Sequence, residues 1–367
     1  MAILFGNLLV LALFISSGTT FFHDKNDDVL ALDEIVREFH ANDRFNGVVL
    51  LAKENTILYS GSYGMANFEW QIPQSTESRF RIASITKTYT ATLILKLIEE
   101  GEISFDDVII DHLPDYPHKS GHRITIEHLL VQSAGIPDYL SLPGFLEIDA
   151  YLSHDVNTFP ECFKNLDLKF EPGSDWDYGN SEYYLLGLII ERVTGLSYQE
   201  AMQKYILDPA GLHQTGFVTP GAVISNYANG YIRNSNGIET APAIHPSVCY
   251  SAGMMYSSAA DLHKFVQKLY HDKSILSEEI LDVMTTRHMA DYGYGVFIGY
   301  QVIQGDRHTT YLHMGEIHGY TAQVSYFPDN GYTVIILDNT QQCASRLYFA
   351  IMDILPDFSP AETAADD

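Results

Sequence analysis

The chain has 367 residues, enough for one large domain or two coupled subdomains. Hydrophobic residues make up 46% and charged residues 19%, a globular composition that excludes wholesale disorder. The 47 acidic residues outnumber the 21 basic ones, for a net charge of −26, and because such a surface repels phosphate backbones we expect no nucleic-acid partner.

The first twenty residues have the pattern of an export signal. Ile3 to Ile15 is largely apolar, and small residues follow from Ser16 to Thr19. The apolar run is shorter than a membrane-spanning helix, so we expect a signal peptide at residues 1–20. The mature chain would then be periplasmic or secreted, with no stable membrane span. A lipid-facing anchor and a wrongly assigned chain start are the alternatives.

The N-terminal part of the chain predicts two helices around a hairpin. Val29 to Ala41 carries apolar residues at helical spacing. Val48 to Ala52 and Ile57 to Ser60 are rich in β-formers and predict two paired strands. Ala83 to Glu100 is apolar on most faces and ends before Gly101, which predicts a buried helix with a glycine stop.

The rest of the chain predicts a helical insertion followed by more strands. Short amphipathic runs alternate with Pro and Gly between about residues 105 and 244. Strand-like runs are Tyr294 to Val302, Thr309 to His313, Gln323 to Phe327 and Thr333 to Leu337, and a helix is predicted from Ala344 to Ile354.

This order of elements predicts an α/β (α+β) fold. One antiparallel sheet flanked by helices would be built from both chain ends, residues 27–104 and 245–356. A mainly helical subdomain, residues 105–244, would be inserted between them, and residues 357–367 would form an acidic tail.

The cysteines and histidines do not have the spacing of a metal site. Cys162, Cys249 and Cys343 lie far apart and form no CxxC pair, so they make either one disulfide with a spare thiol or three inert buried thiols. The sequence has no HExxH motif and no G-x-S-x-G elbow. We therefore predict neither a metal nor a cofactor.

The segment Ser84-Ile85-Thr86-Lys87 stands at the start of the most apolar predicted helix. Residues three apart share a helix face, with Cβ atoms about 5–6 Å apart, so the hydroxyl of Ser84 and the amine of Lys87 can meet. A serine becomes a nucleophile when a neighbour removes its proton, and a lysine can do so when burial lowers its pKa and leaves it neutral. Ser-x-x-Lys also arises by chance, but this position makes Ser84 the candidate nucleophile and Lys87 the candidate base.

Tyr178-Gly179-Asn180 follows a Pro-Gly turn and precedes an apolar helix, which favours a loop facing a cleft. A phenol can shuttle a proton if nearby cations lower its pKa, and a side-chain amide can orient a lysine or a substrate carbonyl. Ordinary turn residues are the alternative.

His313-Met314-Gly315 ends a strand-like run. A glycine at a strand edge lets another backbone come close, and the amide of Glu316 could then donate to an oxyanion. A core or surface role for His313 is the alternative.

The three motifs, in the order SxxK, YxN and HxG, resemble the serine β-lactamase and penicillin-binding-protein superfamily. They are most similar to its class C β-lactamase-like hydrolases: D,D-carboxypeptidases, esterases and D-amino-acid peptidases. The resemblance runs from about Val48 to Leu337 and is carried by FRIASITKTYTA, ITIEHLLVQSAGIPDY, FEPGSDWDYGNSEYYLLGLIIERVTG, SAGMMYSSAADLHKF and HMGEIHGYTAQVSYFPDNGYTVIIL. It implies a β-lactamase/transpeptidase-like fold with a cleft between sheet and helical subdomain.

The resemblance also implies roles for individual residues. Ser84 would be the acylated nucleophile and Lys87 its base partner. Tyr178 would shuttle the proton to the leaving group and from water, and Asn180 would orient the substrate.

For substrate binding, the resemblance implies that His313 and Gly315 line the cleft, and that the amides of Ser84 and Glu316 form the oxyanion hole. Many relatives carry Lys-Thr-Gly at the third motif, where this chain has His-Met-Gly. A neutral imidazole holds a carboxylate less firmly than an ammonium does, which favours esters, small amides or D-amino-acid peptides over penicillins. The charge of Glu316 should also disfavour anionic substrates unless its side chain points away.

These observations predict a β-lactamase-like serine hydrolase of esterase or D,D-peptidase type. It would act on a D-amino-acid peptide, a small ester or a β-lactam-like substrate through an acyl-enzyme on Ser84. An acyltransferase that uses the same acyl-enzyme and a non-catalytic penicillin-binding-like protein are the alternatives. The expected partner is a small-molecule or peptide substrate, and the oligomeric state is open.

Overall fold

A computed structural model describes residues 25–303, 306–342 and 344–354. The predicted export signal at residues 1–20, the acidic tail at 357–367 and Cys343 lie outside these ranges. Among the helices of the described ranges, none combines the length and the apolar character that crossing a membrane requires.

A six-stranded antiparallel sheet forms the centre of the fold. Its strands in chain order are β1 (Gly47–Lys53), β2 (Thr56–Tyr63), β3 (Phe297–Ile303), β4 (Asp306–Ile317), β5 (Tyr320–Phe327) and β6 (Tyr332–Asp338). In space the order is β3-β4-β5-β6-β1-β2, so the first strand pairs with the last. Both chain ends therefore build one sheet, which confirms the predicted fold class.

The sequence of β1, GVVLLAK, explains its central place in the sheet. Nearly all its residues are buried, as expected for a strand covered on both faces. Val49 and Leu51 point to a core shared with the terminal helices, while Val48 and Leu50 point to the larger core on the other face. The sheet thus separates two apolar layers.

In the described ranges, six longer helices surround the sheet. They are α1 (Lys25–Ala41), α2 (Thr86–Glu99), α3 (Ser181–Thr194), α4 (Pro246–Gly253), α5 (Ala259–Val266) and α6 (Ala344–Met352). α1 and α6 pack on the face that bears Val49, whereas α2 lies in the larger core on the opposite face and contacts α3 and α4.

The remaining elements are short. Single helical turns or short helices are Ile109–His112, His118–Gly121, Ile126–Leu130, Tyr198–Met202, Asp208–Ala210 and Glu278–Met284; the 3-10 turns are Ala83–Ile85, Tyr139–Ser141, Asp149–Tyr151, Phe159–Cys162 and Met289–Asp291; the π turns are Gln203–Leu207 and Gln267–His271. Small sheets pair Met65–Asn67 with Ile72–Pro73, Tyr231–Asn234 with Gly237–Thr240, and Met255–Ser258 with both Arg79–Arg81 and Gly216–Phe217.

The region from residue 105 to 244 is rich in short helices, and its strand Gly216–Phe217 pairs with Met255–Ser258. The division into subdomains at residues 104 and 244 stays a prediction.

The predicted buried helix begins differently from the expectation. Ala83–Ile85 forms a 3-10 turn, and the α-helix itself runs from Thr86 to Glu99. Ala83 has φ of +44°, which an α-helix does not allow for an alanine, so the chain enters α2 through a separate turn. Gly101, with φ of +75°, follows the helix end as predicted.

Candidate active site

Three separate parts of the chain meet at the 3-10 turn that carries Ser84. They are the beginning of α2, the loop that leads into α3, and the C-terminal half of β4. The structure brings Lys87, Tyr178 and Asn180 around Ser84 from the first two, and Gly315 from the third.

Ser84 and Lys87 are hydrogen-bonded to each other. Lys87 Nζ lies 3.2 Å from Ser84 Oγ. Ser84 keeps part of its surface open to solvent, whereas Lys87 is 0% exposed. The pair therefore combines a partly exposed serine with a fully buried amine.

Burial favours the neutral form of Lys87, against the pull of the polar groups around it. Besides Ser84, its Nζ reaches Asn180 Oδ1 at 2.8 Å and the carbonyl oxygen of Ala252 at 3.2 Å, and it lies 4.8 Å from the centre of the Tyr178 ring. Burial lowers the Lys87 pKa from 10.5 to about 7, although the negative charge of Asp138 acts in the opposite direction. Near neutral pH a large share of Lys87 can therefore accept a proton.

Asn180 is held from behind by Asp138, a residue to which sequence analysis gave no role. Asp138 Oδ1 accepts the backbone N–H of Asn180 at 3.0 Å and its Nδ2 at 3.2 Å. Asp138 stands in the family-like stretch ITIEHLLVQSAGIPDY, and its position after a Gly-Ile-Pro turn was the only signal for it.

Tyr178 stands over Lys87 and hydrogen-bonds to Ser84. Its ring stacks against Phe297, with centroids 6.1 Å apart, and lies 6.3 Å from the ring of Trp176. A proton shuttle at Tyr178 was expected to need nearby cations that lower its pKa. Burial instead raises that pKa above its ordinary value, so the phenol is protonated at neutral pH and suits a proton donor.

Gln132, a second residue for which the sequence predicted no role, holds the loop that carries Tyr178. Its Nε2 donates to the carbonyl oxygen of Gly179 at 3.1 Å, and its Oε1 accepts the N–H of Gly179 at 3.0 Å. Gln132 is 0% exposed, and its own carbonyl accepts the N–H of Asp177. These two hydrogen bonds fix the position of the loop that carries Tyr178.

His313 lies beside the site but is only 3% exposed. Its Nδ1 is 2.8 Å from the carbonyl oxygen of Met314, which can only accept, so Nδ1 carries the hydrogen. Nε2 then accepts from the hydroxyl of Tyr292 at 3.4 Å. Burial, together with the charge of Lys87, lowers the His313 pKa to about 3, so the imidazole is neutral and both its nitrogens are occupied.

Gly315 brings β4 against the turn of Ser84. A Cβ at this position would lie 2.1 Å from the carbonyl oxygen of Ile82 and 3.3 Å from Ala83 Cβ. Only a glycine allows this approach, which sets the backbone after Gly315 next to Ser84.

Glu316 does not turn its carboxylate toward the interior. Side chains alternate along β4, and His313 and Gly315 are buried while Met314 and Glu316 are exposed. Glu316 Oε1 instead accepts from Gln341 Nε2 at 3.4 Å. The expected repulsion of anionic substrates by Glu316 is therefore weaker than its sequence position indicated.

The outer edge of β4 is only partly covered. β3 pairs with β4 from Asp306 to Leu312, and the ladder ends there. Residues 313–317 pair with β5 on their other side alone. An extended ligand could add to this edge by main-chain hydrogen bonds next to Ser84.

Cys162 and Cys249 are free thiols, and no disulfide involves either. In the part of the chain with described coordinates, no group of three His, Cys, Asp or Glu side chains is arranged to hold a metal ion.

A family model and a curated relative both match most of this chain. The family model described as beta-lactamase matches residues 32–350. A penicillin-binding protein of Bacillus subtilis (strain 168) is 29% identical over 339 residues, which cover 87% of this chain and 73% of that protein.

Solved structures give the same result. The crystal structure of a penicillin binding protein from Bacillus halodurans is similar with a TM-score of 0.77 and 30% identity, covering 87% of this chain and 98% of that one. A D-stereospecific amidohydrolase from Streptomyces sp. is similar with a TM-score of 0.74 and 26% identity, covering 88% and 98%.

Proposed function

We propose that this chain, a member of the beta-lactamase family, is a serine hydrolase. It would cleave ester or amide bonds through an acyl-enzyme on Ser84. One observation carries the proposal: the fully buried amine of Lys87 lies 3.2 Å from the hydroxyl of the partly exposed Ser84.

The acylation step follows from this pair. Neutral Lys87 takes the proton of Ser84 while Oγ attacks the substrate carbonyl. The backbone amides of Ser84 and Glu316 would hold the resulting oxyanion.

Collapse of the tetrahedral intermediate expels the leaving group, and Tyr178 passes to it the proton that Lys87 had taken up. Lys87 is then neutral again and removes a proton from the water that attacks the acyl-enzyme. Collapse of this second tetrahedral intermediate breaks the bond between the acyl group and Ser84, and Lys87 returns its proton to Ser84 Oγ as the acid leaves. The protonated phenol of Tyr178, beside Ser84 and next to Lys87, supports this relay.

The substrate we propose is neutral next to the scissile bond. Relatives with a lysine at the third motif place a cation there, but His313 is neutral and has both ring nitrogens engaged. A carboxylate would gain little at this position, because an uncharged imidazole offers it no ion pair. Small esters and D-amino-acid amides fit better than cephalosporins or peptides with a free terminal carboxylate.

The test combines labelling with a substrate panel. A fluorophosphonate should label the wild-type protein covalently and leave Ser84→Ala unlabelled, with the fold of both checked by circular dichroism. Loss of the nucleophile should reduce kcat by several orders of magnitude, roughly 10⁴-fold or more.

The panel contains a nitrophenyl ester, a D-amino-acid amide, a D-Ala-D-Ala peptide and a cephalosporin. We expect turnover of the first two to exceed that of the last two. Labelling of Ser84→Ala at the wild-type rate would refute the nucleophile, and faster turnover of the cephalosporin would refute the neutral-substrate argument.

A further inference from the structure

Asp138 hydrogen-bonds to Asn180, which in turn contacts Lys87, so it stands one residue behind the groups that would perform the reaction. It precedes the 3-10 turn Tyr139–Ser141 and contacts Asn180 through three donor–acceptor pairs, of 3.0, 3.2 and 3.5 Å. None of the ion pairs found in the described ranges includes Asp138.

These contacts determine which way the Asn180 amide faces. With Nδ2 directed to the Asp138 carboxylate, Oδ1 faces Lys87 and accepts from its Nζ at 2.8 Å. A flipped amide would set its oxygen against the carboxylate and its N–H groups against the lysine. It would lose the hydrogen bond to Asp138 and, when Lys87 is an ammonium, the one to Lys87 as well. Asp138 therefore selects the orientation in which Asn180 can hold Lys87.

The titratable groups that face Lys87 differ in charge. They come from several elements: Asp138, Tyr178, Tyr183, Cys249 and His313. Burial raises the pKa values of the two phenols and of the thiol, so all three are neutral at pH 7, and it lowers the pKa of the imidazole, which is also neutral. Of these five groups, the Asp138 carboxylate alone carries a charge that favours the ammonium form of Lys87.

We propose that Asp138 is a positioning residue that fixes the orientation of the Asn180 amide and, through its charge, sets the pH at which Lys87 gives up its proton. For catalysis the proposal rests on the proposed function, since it assumes that Lys87 is the base for Ser84. The effect on Lys87 itself can be measured without any activity.

The experiment compares the titration of Lys87 in the wild type and in Asp138→Asn. The protein is labelled with [6-¹³C]lysine, and the Cε signal of Lys87 is assigned by its loss in Lys87→Met. The wild-type midpoint is expected near pH 7. In Asp138→Asn the ammonium loses its favourable partner, so the midpoint should move about one pH unit lower.

Two further variants make the result specific. Glu147→Gln also removes one negative charge, from an exposed residue further along the same connection, and should leave the midpoint unchanged. Asp138→Ser keeps one acceptor for Asn180 without a charge, and should reproduce the shift if Asp138→Asn does not fold. An unmoved or higher midpoint in both Asp138 variants overturns the proposal.

Kinetics separate this inference from the proposed function. The acidic limb of the kcat/KM profile for a nitrophenyl ester should move with the midpoint measured for Lys87. A shifted midpoint without Ser84 labelling would leave the Asp138 effect standing and reject the hydrolase. Normal Ser84 labelling with an unshifted Lys87 midpoint and an unshifted acidic limb would support the hydrolase and reject the Asp138 effect. A lower kcat with an unshifted limb would show that the role of Asp138 is structural only.

Discussion

At the scale of single residues, burial decides the chemistry of the site. Lys87 has lost all contact with solvent, and the resulting fall of its pKa to about 7 turns an ordinary cation into a base. The sequence predicted this pair because the i, i+3 spacing is local and the helix around it is apolar. It could not reveal Asp138 or the carbonyl of Ala252, since these reach Lys87 only through tertiary contacts.

The neutral state of His313 leads to a prediction at the same scale. His313→Gln can still donate to Met314 and accept from Tyr292, so kcat/KM should fall by no more than about tenfold. Because the imidazole of the wild type does not titrate between pH 5 and 8, the acidic limb near pH 7 should persist in the variant.

A pH–rate profile of both proteins with a nitrophenyl ester checks this. His263→Gln, which removes another buried imidazole with a lowered pKa on α5, is the control for packing effects. Disappearance of the acidic limb in His313→Gln would identify His313, and not Lys87, as the titrating base.

At the scale of elements, the site depends on how closely β4 approaches the turn before α2. Sequence patterns located these elements, but they placed Ser84 in the helix and ended the strand at residue 313. The 3-10 turn depends on the positive φ of Ala83, which local propensity does not predict for an alanine. The extension of β4 depends on pairing with β5, a tertiary effect.

The close approach of Gly315 to Ile82 predicts what a methyl group at position 315 would do. In Gly315→Ala the new methyl group would meet the carbonyl oxygen of Ile82 at 2.1 Å, so β4 must move away from Ser84. We expect kcat to fall about 100-fold because the amide of Glu316 is displaced. The free energy of unfolding should fall by about 1–3 kcal/mol.

Steady-state kinetics and urea unfolding measure the two effects. Gly299→Ala on the neighbouring strand β3 is the matched control, because a methyl group there would have its nearest neighbours at 3.5 Å. Equal kcat in Gly315→Ala and the wild type would show that this approach does not position the oxyanion donors.

At the scale of the whole molecule, Asp338 ties the last strand to the first. It is 0% exposed at the end of β6, opposite Gly47, and accepts the N–H groups of Asn46, Thr340 and Gln342. Burial outweighs these hydrogen bonds and raises its pKa from 3.8 to about 6. The pattern of apolar runs predicted the sheet, but a buried carboxylate at its seam has no signature in hydropathy.

This shift predicts how stability depends on pH. Between about pH 4 and 6 the folded protein binds the Asp338 proton and the unfolded chain does not, so this contribution is present at low pH and is lost as pH rises through 6. Relative to Asp338→Asn, the wild type should lose about 2 kcal/mol of unfolding free energy between pH 4 and 7.

Urea unfolding of both proteins at several pH values in this window tests the prediction. Asp329→Asn, an exposed carboxylate that also accepts a backbone N–H, should show no comparable change. A difference between wild type and Asp338→Asn that stays constant with pH would contradict it.

The pairing of β1 with β6 also bears on the order in which the protein can be made. Gly47 leaves the ribosome early, but its partner Asp338 is synthesised only near the end. Until then β1 has just the hairpin with β2, and its apolar face needs other cover. We therefore expect the nascent chain to acquire its central sheet only after most of translation is complete, which makes partly synthesised chains natural clients for a holding chaperone.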